Sequence, residues 1–435
     1  MAIHDRKNVG RVRFLPDKFF YRWVRKGGSA ILDQALFAGS NFMVALVLAR
    51  WLPVAEYGAY AFAQSIFLFA AAIHSPLFLE PMMVFGGKKY KGELSAYTGA
   101  LLLAHFFAAL LIGVGLFIVG IFIRNSASLV AGKSLMVLTV AGPIILLLWI
   151  LRRVFYIRFE PGIACVGGVL YFFSQLFLLF FAYKNHRLSA PIAFVIMGVS
   201  SLVVTFFYVI YAKPQFLFSG DMNLGSIARS HWKYSRWAIA TAAISWFSSN
   251  IYFLLLPARF GLGAAAEFKA FLTILMPTGQ VTGVLSLLIV PYLSRLRHES
   301  KIKFESSVKL FMAFFAAMGF AYFLVIAFFP KQILQLFFGG RYMDSYYLLP
   351  VFGVSAVLGG FTSVMMSAVR SMERPDATFW AQLSATGIAA TLGALWTLQY
   401  GVSGAIFGSV ASTLVSMITL LFIYRGFVLS PITEK

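Results

Sequence analysis

Apolar stretches of roughly 20 residues recur along almost the whole chain, and this recurrence limits the folds that the chain can adopt. A helix of that length crosses a membrane hydrocarbon core of about 30 Å. Of the 435 residues, 60% are hydrophobic and 12% are charged, whereas a soluble domain carries about 25% charged residues. Because a helix satisfies its own backbone hydrogen bonds in lipid, the sequence predicts an all-α polytopic membrane protein.

The apolar stretches predict twelve spans, six in each half of the chain. Because six is an even number, the two six-helix bundles enter the membrane in the same direction, as two parallel bundles. The predicted domains are a basic N-terminal segment (1–28), a first bundle (29–212), a cytoplasmic linker (213–235), a second bundle (236–424) and a cytoplasmic tail (425–435). We place the spans at 29–51, 58–79, 97–122, 134–151, 161–183, 189–212, 236–257, 267–292, 308–329, 346–368, 377–399 and 402–424.

The distribution of basic residues predicts the orientation, since cytoplasmic loops hold an excess of lysine and arginine. With both termini in the cytoplasm, 27 of the 36 basic residues fall on the cytoplasmic side. The net charge of +21 is therefore spread over rims next to anionic lipid. No compact basic domain exists, so nucleic acid is not an expected partner and bilayer lipids are.

The segment just before the first span, DKFFYRWVRKGG (17–28), mixes aromatic and basic residues. This composition predicts an interfacial helix on the inner leaflet. A disordered basic tail is the alternative. No cleavable signal sequence is visible at the basic N-terminus.

Motifs for covalent chemistry are missing from the sequence. It has no phosphate-binding loop for ATP, no serine nucleophile elbow and no histidine pair for zinc. Cys165 is the only cysteine, so a disulfide or a cysteine metal site cannot form within the chain. We therefore expect no enzyme activity, no cofactor and no metal site.

An internal repeat relates the two halves. The seventh span aligns with the first when the chain is shifted by 209 residues, and the match includes rare polar residues rather than leucine or alanine alone. The matched pairs are Ser40 with Ser249, Asn41 with Asn250 and Arg50 with Arg259. Transporters built from such parallel repeats bind substrate at the interface between the halves.

Polar side chains in the first and seventh spans are candidates for lining a cavity. Intramembrane polar groups almost always face the bundle interior or water, so we expect Asp33, Asn41 and Asn250 to lie near a cavity between the bundles. Asp33 either couples an ion or contacts substrate, or it reaches head-group water near the start of its helix. Asn41 either forms an interhelical hydrogen bond or contacts ligand.

Four arginines complete the candidate site. Arg50 and Arg259 occupy equivalent positions near the outer ends of their helices, where interfacial anchoring is the alternative to function. Arg152 and Arg153 belong, with Arg158, to a basic cluster at the inner end of the fourth span. Positive-inside bias explains this cluster, and contact with a pyrophosphate head group entering from the cytoplasm is the alternative.

Two segments resemble a known family. GGSAILDQALFAGSNFMVALVLARWLPVAEYGAYAF (27–62) is similar to the N-terminal span of polysaccharide-export flippases, although the usual glycine of the following turn is missing after Leu52. FFGGRYMDSYYLLP (337–350) resembles the loop between their spans nine and ten. The family is the multidrug/oligosaccharidyl-lipid/polysaccharide (MOP) superfamily, in its Wzx-type O-antigen and exopolysaccharide branch, and twelve spans in two bundles match it over nearly the whole chain.

The resemblance implies a function. Such flippases move an undecaprenyl-pyrophosphate-linked oligosaccharide from the inner to the outer leaflet of the bacterial inner membrane by alternating access. The implied substrate is this lipid-linked oligosaccharide, and polymerase and other proteins of the export machinery are compatible partners. The carried glycan, the coupling ion and the oligomeric state do not follow from the sequence.

Three other functions remain open at this point. A multidrug cation exporter of the same superfamily depends on acids within the membrane, and Asp33 is the only acid that we place inside a span. A membrane polymerase or ligase of lipid-linked glycans needs a larger outer loop than any predicted here. A scaffold of the assembly machinery that transports nothing is not excluded by any sequence feature.

Overall fold

The structure is a computed structural model that describes residues 17–216, 223–372 and 375–429. Within these ranges every regular element is a helix and no strand occurs, which confirms the all-α fold. The first part of the basic segment (1–16), part of the linker (217–222) and the end of the tail (430–435) lie outside the described residues. The same holds for the side chains of residues 17–25, 287, 375 and 427–429.

The first half of the chain, residues 17–216, contains seven α-helices. A π-helical turn at Ser75–Leu79 joins the second and third of them into one continuous span. Residues 17–28 are helical and continue without a break into the first span. The helices are α1 (Asp17–Trp51), α2 (Val54–His74), α3 (Glu80–Gly86), α4 (Leu94–Ser126), α5 (Leu129–Ile157), α6 (Pro161–Lys184) and α7 (Ala190–Ala212).

The second half, residues 223–429, adds nine α-helices. Its first helix begins at Leu224, inside the segment predicted as a linker. A second π-helical turn, Ala389–Gly393, joins α14 to α15. The helices are α8 (Leu224–Asn250), α9 (Tyr252–Phe260), α10 (Leu262–Glu299), α11 (Lys301–Phe328), α12 (Pro330–Phe338), α13 (Leu348–Ser371), α14 (Pro375–Ile388), α15 (Ala394–Tyr400) and α16 (Val402–Leu429).

Short polar residues set several helix starts. Ser128, Ser189 and Ser300 each accept a backbone N–H from the first turn of α5, α7 and α11. Asn223 does the same for α8. Such caps satisfy N–H groups that have no partner within the helix, so these loops can stay short.

Eleven helical segments of the described chain are long and apolar enough to cross a membrane, and they coincide with eleven predicted spans. The remaining span, 377–399, falls on the continuous run from α14 to α15, which is more polar. Gln382 and Thr386 of α14 hydrogen-bond to α8. These two polar side chains thus bond to another helix, whereas Thr391 of the same span bonds to its own helix at an exposed position.

The helices pack in the same pattern in both halves. In the first half α1 packs on α6, and α5 packs on α4 and α7. In the second half α8 packs on α14, and α13 packs on α11 and α16. In each half, the first span thus packs on the fifth, and the fourth span packs on the third and the sixth. The sequence repeat therefore corresponds to a structural repeat.

Candidate functional site

The two halves meet closely at one side of the molecule. We call this side, where α1 ends at Trp51, the opposite face, and the side where α1 begins and α16 ends the terminal face. At the opposite face Arg341 donates hydrogen bonds to the carbonyl of Ala49, at 3.0 Å, and to that of Leu52. A Cβ at Gly58 would lie 1.8 Å from the carbonyl oxygen of Leu262, so only glycine allows α2 and α10 to approach this closely.

Toward the terminal face, a break in span two exposes two backbone carbonyls. In the π-helical turn Ser75–Leu79, the N–H of Glu80 bonds to the carbonyl of Ser75 and passes over that of Pro76. Pro81 has no N–H to offer the carbonyl of Leu77. Both carbonyls therefore need partners from outside their own helix, as is common at π-bulges.

The first turns of α8 supply these partners. Ser235 donates to the carbonyl of Pro76 at 2.6 Å, and His231 Nδ1 donates to that of Leu77 at 2.8 Å. Because Nδ1 carries the proton, His231 Nε2 accepts from the Tyr97 hydroxyl at 2.7 Å. We call this contact the α8 dock. It joins the first helix of the second half to the first half.

Asp33 and Arg152, two of the predicted site residues, form a salt bridge inside the first half. Arg152 donates from Nε at 2.9 Å and from Nη2 at 2.6 Å to Asp33 Oδ2, which also accepts from the Tyr156 hydroxyl. The guanidinium carbon lies 3.8 Å from the ring centroid of Phe37. Asp33 is fully buried, so the pair neutralises it within the first bundle, away from head-group water. Arg153 is only half-buried.

One hydrogen bond between helices occurs in both halves. Ser40 of α1 donates to Gln175 of α6 at 2.8 Å. Gln382 of α14 donates to Ser248 of α8 at 2.6 Å. Both bonds join the first span of a half to its fifth span, so they correspond in the fold, although the sequence repeat matches Ser40 with Ser249 rather than with Ser248. The first pair is fully buried, whereas the second faces a cavity.

That cavity is enclosed by the second half and measures about 420 Å³. Helices α8, α10, α13, α14 and α16 form its walls. It opens at Ser249 and Gly279, which are exposed. Among the described residues that line it none is charged, and ten carry hydroxyl groups, namely Ser248, Ser249, Thr278, Thr282, Ser355, Thr362, Ser409, Ser412, Thr413 and Ser416.

A second groove of about 500 Å³ continues this cavity toward the terminal face. The two spaces share Thr362 and Met366. The groove lies between α10 and α13 and carries Ser286, Ser367 and the exposed Arg370. A row of hydroxyl groups therefore ends at a guanidinium group at the terminal face. Arg374, four residues further along the chain, lies outside the described residues.

The structure does not gather the remaining predicted site residues around one cavity. Asn41 is exposed, and Asn250 is half-buried and donates to the carbonyl of Trp246 in its own helix at 3.1 Å. Arg50 is exposed and donates to the carbonyl of Leu336 at 3.1 Å. Arg259 is exposed and makes no hydrogen bond or ion pair with the part of the chain that the structure describes.

Sequence reasoning missed several residues that organise the site. Glu267 lies in the second turn of α10, half-buried, with Oε1 buried and unpaired. The prediction that Asp33 is the only acid inside a span is therefore wrong. The predicted eighth span began at Glu267, whereas the helix begins five residues earlier, at Leu262. Gln175 and Gln382 occur 207 residues apart, close to the repeat offset, so the repeat could have identified them.

Two histidines of the first half form a buried chain. His105 Nε2 lies 3.1 Å from the carbonyl of Pro143, which can only accept, and His105 Nδ1 lies 3.0 Å from His74 Nε2. The proton positions follow: His105 carries its proton on Nε2 and accepts one from His74. His74 Nδ1 is left buried without a partner. These residues serve as a hydrogen-bonded link between α2, α4 and α5.

Comparison with solved structures assigns the fold. The chain superposes on an inward-facing multidrug resistance MATE transporter of the MOP superfamily with a TM-score of 0.73 and 15% identity, over 92% of this chain and 98% of that one. It superposes on the lipid II flippase MurJ in an inward closed conformation with a TM-score of 0.72 and 13% identity, over 93% and 87%. An outward-facing MATE structure gives a TM-score of 0.62, with 15% identity over 94% and 95%.

No protein-family model and no curated protein matches the sequence. At identities this low, the structural likeness shows the fold alone. The chain has the fold of MATE and MurJ transporters. The site must be interpreted from its own residues.

Proposed function

We propose that this protein is an alternating-access flippase of a lipid-linked oligosaccharide that carries a pyrophosphate, as Wzx-type members of the MOP superfamily are. It acts in the bacterial inner membrane, with the terminal face in the cytoplasm. The observation that carries the proposal is the continuous polar path in the second half. Hydroxyl groups line a cavity of about 420 Å³, and this path leads to Arg370 at the terminal face.

Such a path suits a substrate with a sugar and a phosphate. Sugar hydroxyls and phosphates cannot enter hydrocarbon without losing hydrogen bonds to water. Hydroxyl side chains replace that water for the sugar. A guanidinium group binds phosphate oxygens through charge-assisted hydrogen bonds.

The lipid tail has a separate apolar groove of about 560 Å³ between α10 and α11. Leu288 and Tyr292 line its α10 side, and Phe311 and Phe314 line its α11 side. These α10 residues lie at the same level as Val290, which lines the Arg370 groove. The isoprenoid tail of the substrate would thus stay in the membrane, in this groove, while the attached phosphates contact Arg370.

The closed opposite face indicates which conformation of the alternating-access transport cycle the structure represents. Arg341 and the contact between Gly58 and Leu262 hold the halves together there. With the terminal face in the cytoplasm, this state is the inward one. The higher TM-scores to inward than to outward relatives support that assignment.

A cation exporter is the second candidate, and Glu267 is the observation that favours it. A half-buried carboxylate with an unpaired oxygen can hold a cation. Asp33, in contrast, is already neutralised by Arg152. Glu267 also lies near Asp344 and Ser345 of the opposite face, away from the lining of the cavity.

Transport by the purified full-length protein in proteoliposomes separates the two. The substrates are an undecaprenyl-pyrophosphate-linked disaccharide, whose arrival in the other leaflet is detected by a glycosidase that cannot cross the membrane, and a lipophilic aromatic cation. We expect the protein to accelerate only the first. Transport of the cation without movement of the glycolipid would overturn the proposal in favour of the exporter.

A further inference from the structure

We propose that the cavity of the second half is a binding site for a neutral sugar residue and that it selects which glycan is carried. This inference deepens the proposed function and rests on it. The ligand class follows from the chemistry of the lining.

The uncharged lining disfavours ions of either sign. Among the described residues that face the cavity, none is acidic, so a cation would stay uncompensated. An anion needs donors, and most hydroxyl protons here are already used. Seven of the ten hydroxyl residues, among them Thr278, Thr362 and Ser412, donate to carbonyls of their own helices.

The lining instead favours a neutral ligand that brings its own donors. When a serine or threonine hydroxyl donates its proton to a backbone carbonyl of its own helix, its oxygen can still accept a hydrogen bond from a ligand in the cavity. Ser355 adds a buried hydroxyl without a partner, which can donate or accept. A pyranose ring carries several O–H donors and no charge, so its hydroxyls match this array.

The shape of the cavity agrees with a single ring. Its volume of about 420 Å³ lies in the range of small-molecule sites, roughly 300–1,000 Å³. Phe268 and Phe352, with ring centroids 5.7 Å apart and both side chains almost fully buried, form the apolar wall of the cavity. The C–H face of a sugar can pack against this wall while its hydroxyls meet the opposite side.

The equivalent place in the first half is closed, which indicates that the cavity is not a by-product of the fold. The bond between Ser40 and Gln175 is fully buried there. In the second half, the equivalent bond between Ser248 and Gln382 lines open space. The two halves have the same helix packing, but side chains fill this position in the first half and leave a cavity in the second.

The position of the cavity also fits a sugar attached to a phosphate. The cavity and the Arg370 groove share Thr362 and Met366. A sugar in the cavity can therefore remain linked to a phosphate that contacts Arg370.

Filling the cavity tests the inference. A Cβ at Gly359 meets nothing within 4 Å, and the same is true of Gly387, which is exposed and does not line the cavity. Gly359→Leu therefore fills the cavity without a backbone clash, and Gly387→Leu is the matched control. Binding is measured by saturation-transfer NMR of the full-length protein with a panel of neutral methyl glycosides.

We expect sugar signals with the wild type and with Gly387→Leu, and at least a fivefold loss with Gly359→Leu. Thr362→Val should reduce the signal, and Thr391→Val should not, because Thr391 forms the same type of bond to its own helix at an exposed site outside the cavity. No signal from any glycoside would overturn the inference, as would equal signals in both leucine variants. Displacement by tetraethylammonium but not by a second glycoside would also overturn it.

The binding measurement and the transport measurement test the sugar site and the proposed flippase function separately. If glycoside binding is lost in Gly359→Leu but the wild type moves no glycolipid in proteoliposomes, the sugar site stands and the proposed flippase fails. If the wild type moves glycolipid but Gly359→Leu binds glycosides normally, the flippase stands and the sugar site is wrong.

Discussion

Asp33 and Arg152 lie 119 residues apart in the sequence and form an ion pair inside the first half, with 2.6 Å between Nη2 and Oδ2. The Phe37 ring covers the guanidinium group, and Tyr156 donates a further hydrogen bond to the carboxylate. The pair therefore connects α1 to α5 as a structural element of the bundle. Its two members need each other, because either charge alone would be buried without compensation.

The first prediction concerns this pair. Asp33→Asn leaves the Arg152 charge unpaired, and breaking a buried pair costs about 3–5 kcal/mol. We expect a lower melting temperature of the purified protein in detergent. The double variant Asp33→Leu with Arg152→Met should recover most of the loss, since it removes both charges.

The exposed pair of Arg295 and Glu299 provides the control. These residues are one helical turn apart on α10, at 2.7 Å. Arg295→Ala should leave the melting temperature unchanged, because exposed pairs contribute little. Equal melting temperatures for Asp33→Asn and Arg295→Ala would show that the buried pair is not structural.

The second prediction concerns the α8 dock. His231→Phe removes the donor to the carbonyl of Leu77 and the acceptor for Tyr97, and each unsatisfied buried group costs about 1–3 kcal/mol. We expect faster amide hydrogen exchange in α3 and in the first turns of α8. His298→Phe, at an exposed histidine of α10, should leave the exchange of both segments unchanged. Unchanged exchange in His231→Phe would mean that the dock does not hold α8.

The third prediction concerns closure of the opposite face. Gly58→Ala places a methyl group 1.8 Å from the carbonyl oxygen of Leu262, so α2 and α10 must separate. Spin labels at positions 187 and 332, both exposed, report this separation in a background with Cys165→Ser. We expect their distance distribution to shift to longer values.

Gly263→Ala is the matched control for Gly58→Ala. Its Cβ meets Val54 at an ordinary 3.7 Å, so the distribution should stay as in the wild type. If both alanine variants leave the distances unchanged, the close approach at Gly58 does not control closure.

The fourth prediction concerns the phosphate. Arg370→Ala should lower glycolipid transport in proteoliposomes roughly 10- to 100-fold, as expected for the loss of a charged hydrogen bond of about 1.5–3 kcal/mol. Arg370→Lys should retain part of the activity, because it keeps the charge but not the planar fork. Arg187→Ala, at an exposed arginine of the opposite face, should transport normally. Normal transport by Arg370→Ala would remove this residue from the substrate path.

The fold could be predicted from the sequence because membrane spans depend on local composition. Apolar stretches gave the helices, and rare polar residues such as Ser40 and Asn41 gave the repeat. The one weak case was the span at 377–399, whose Gln382 and Thr386 bond to α8. Partners on another helix make a polar span stable in a bundle, and composition alone does not show such partners.

The site was less predictable because it depends on distances between helices. The charges of Asp33 and Arg152 were evident, but nothing in the sequence indicated that they pair. The hydrogen bond from Ser235 to the carbonyl of Pro76 was equally hidden, because the two residues lie 159 positions apart in the sequence. The cavity depends on how side chains fill the space between five helices. That property belongs to the packed molecule rather than to any one segment.

The α8 dock has a consequence for how the molecule can move. Helix α8 hydrogen-bonds to the first half through His231 and Ser235, and to α14 of the second half through Ser248. Partial detachment would leave the carbonyls of Pro76 and Leu77 without hydrogen-bond partners, at a cost of about 1–3 kcal/mol each, so intermediate positions are disfavoured. We therefore expect the two halves to rearrange between two end states rather than through a gradual series of positions.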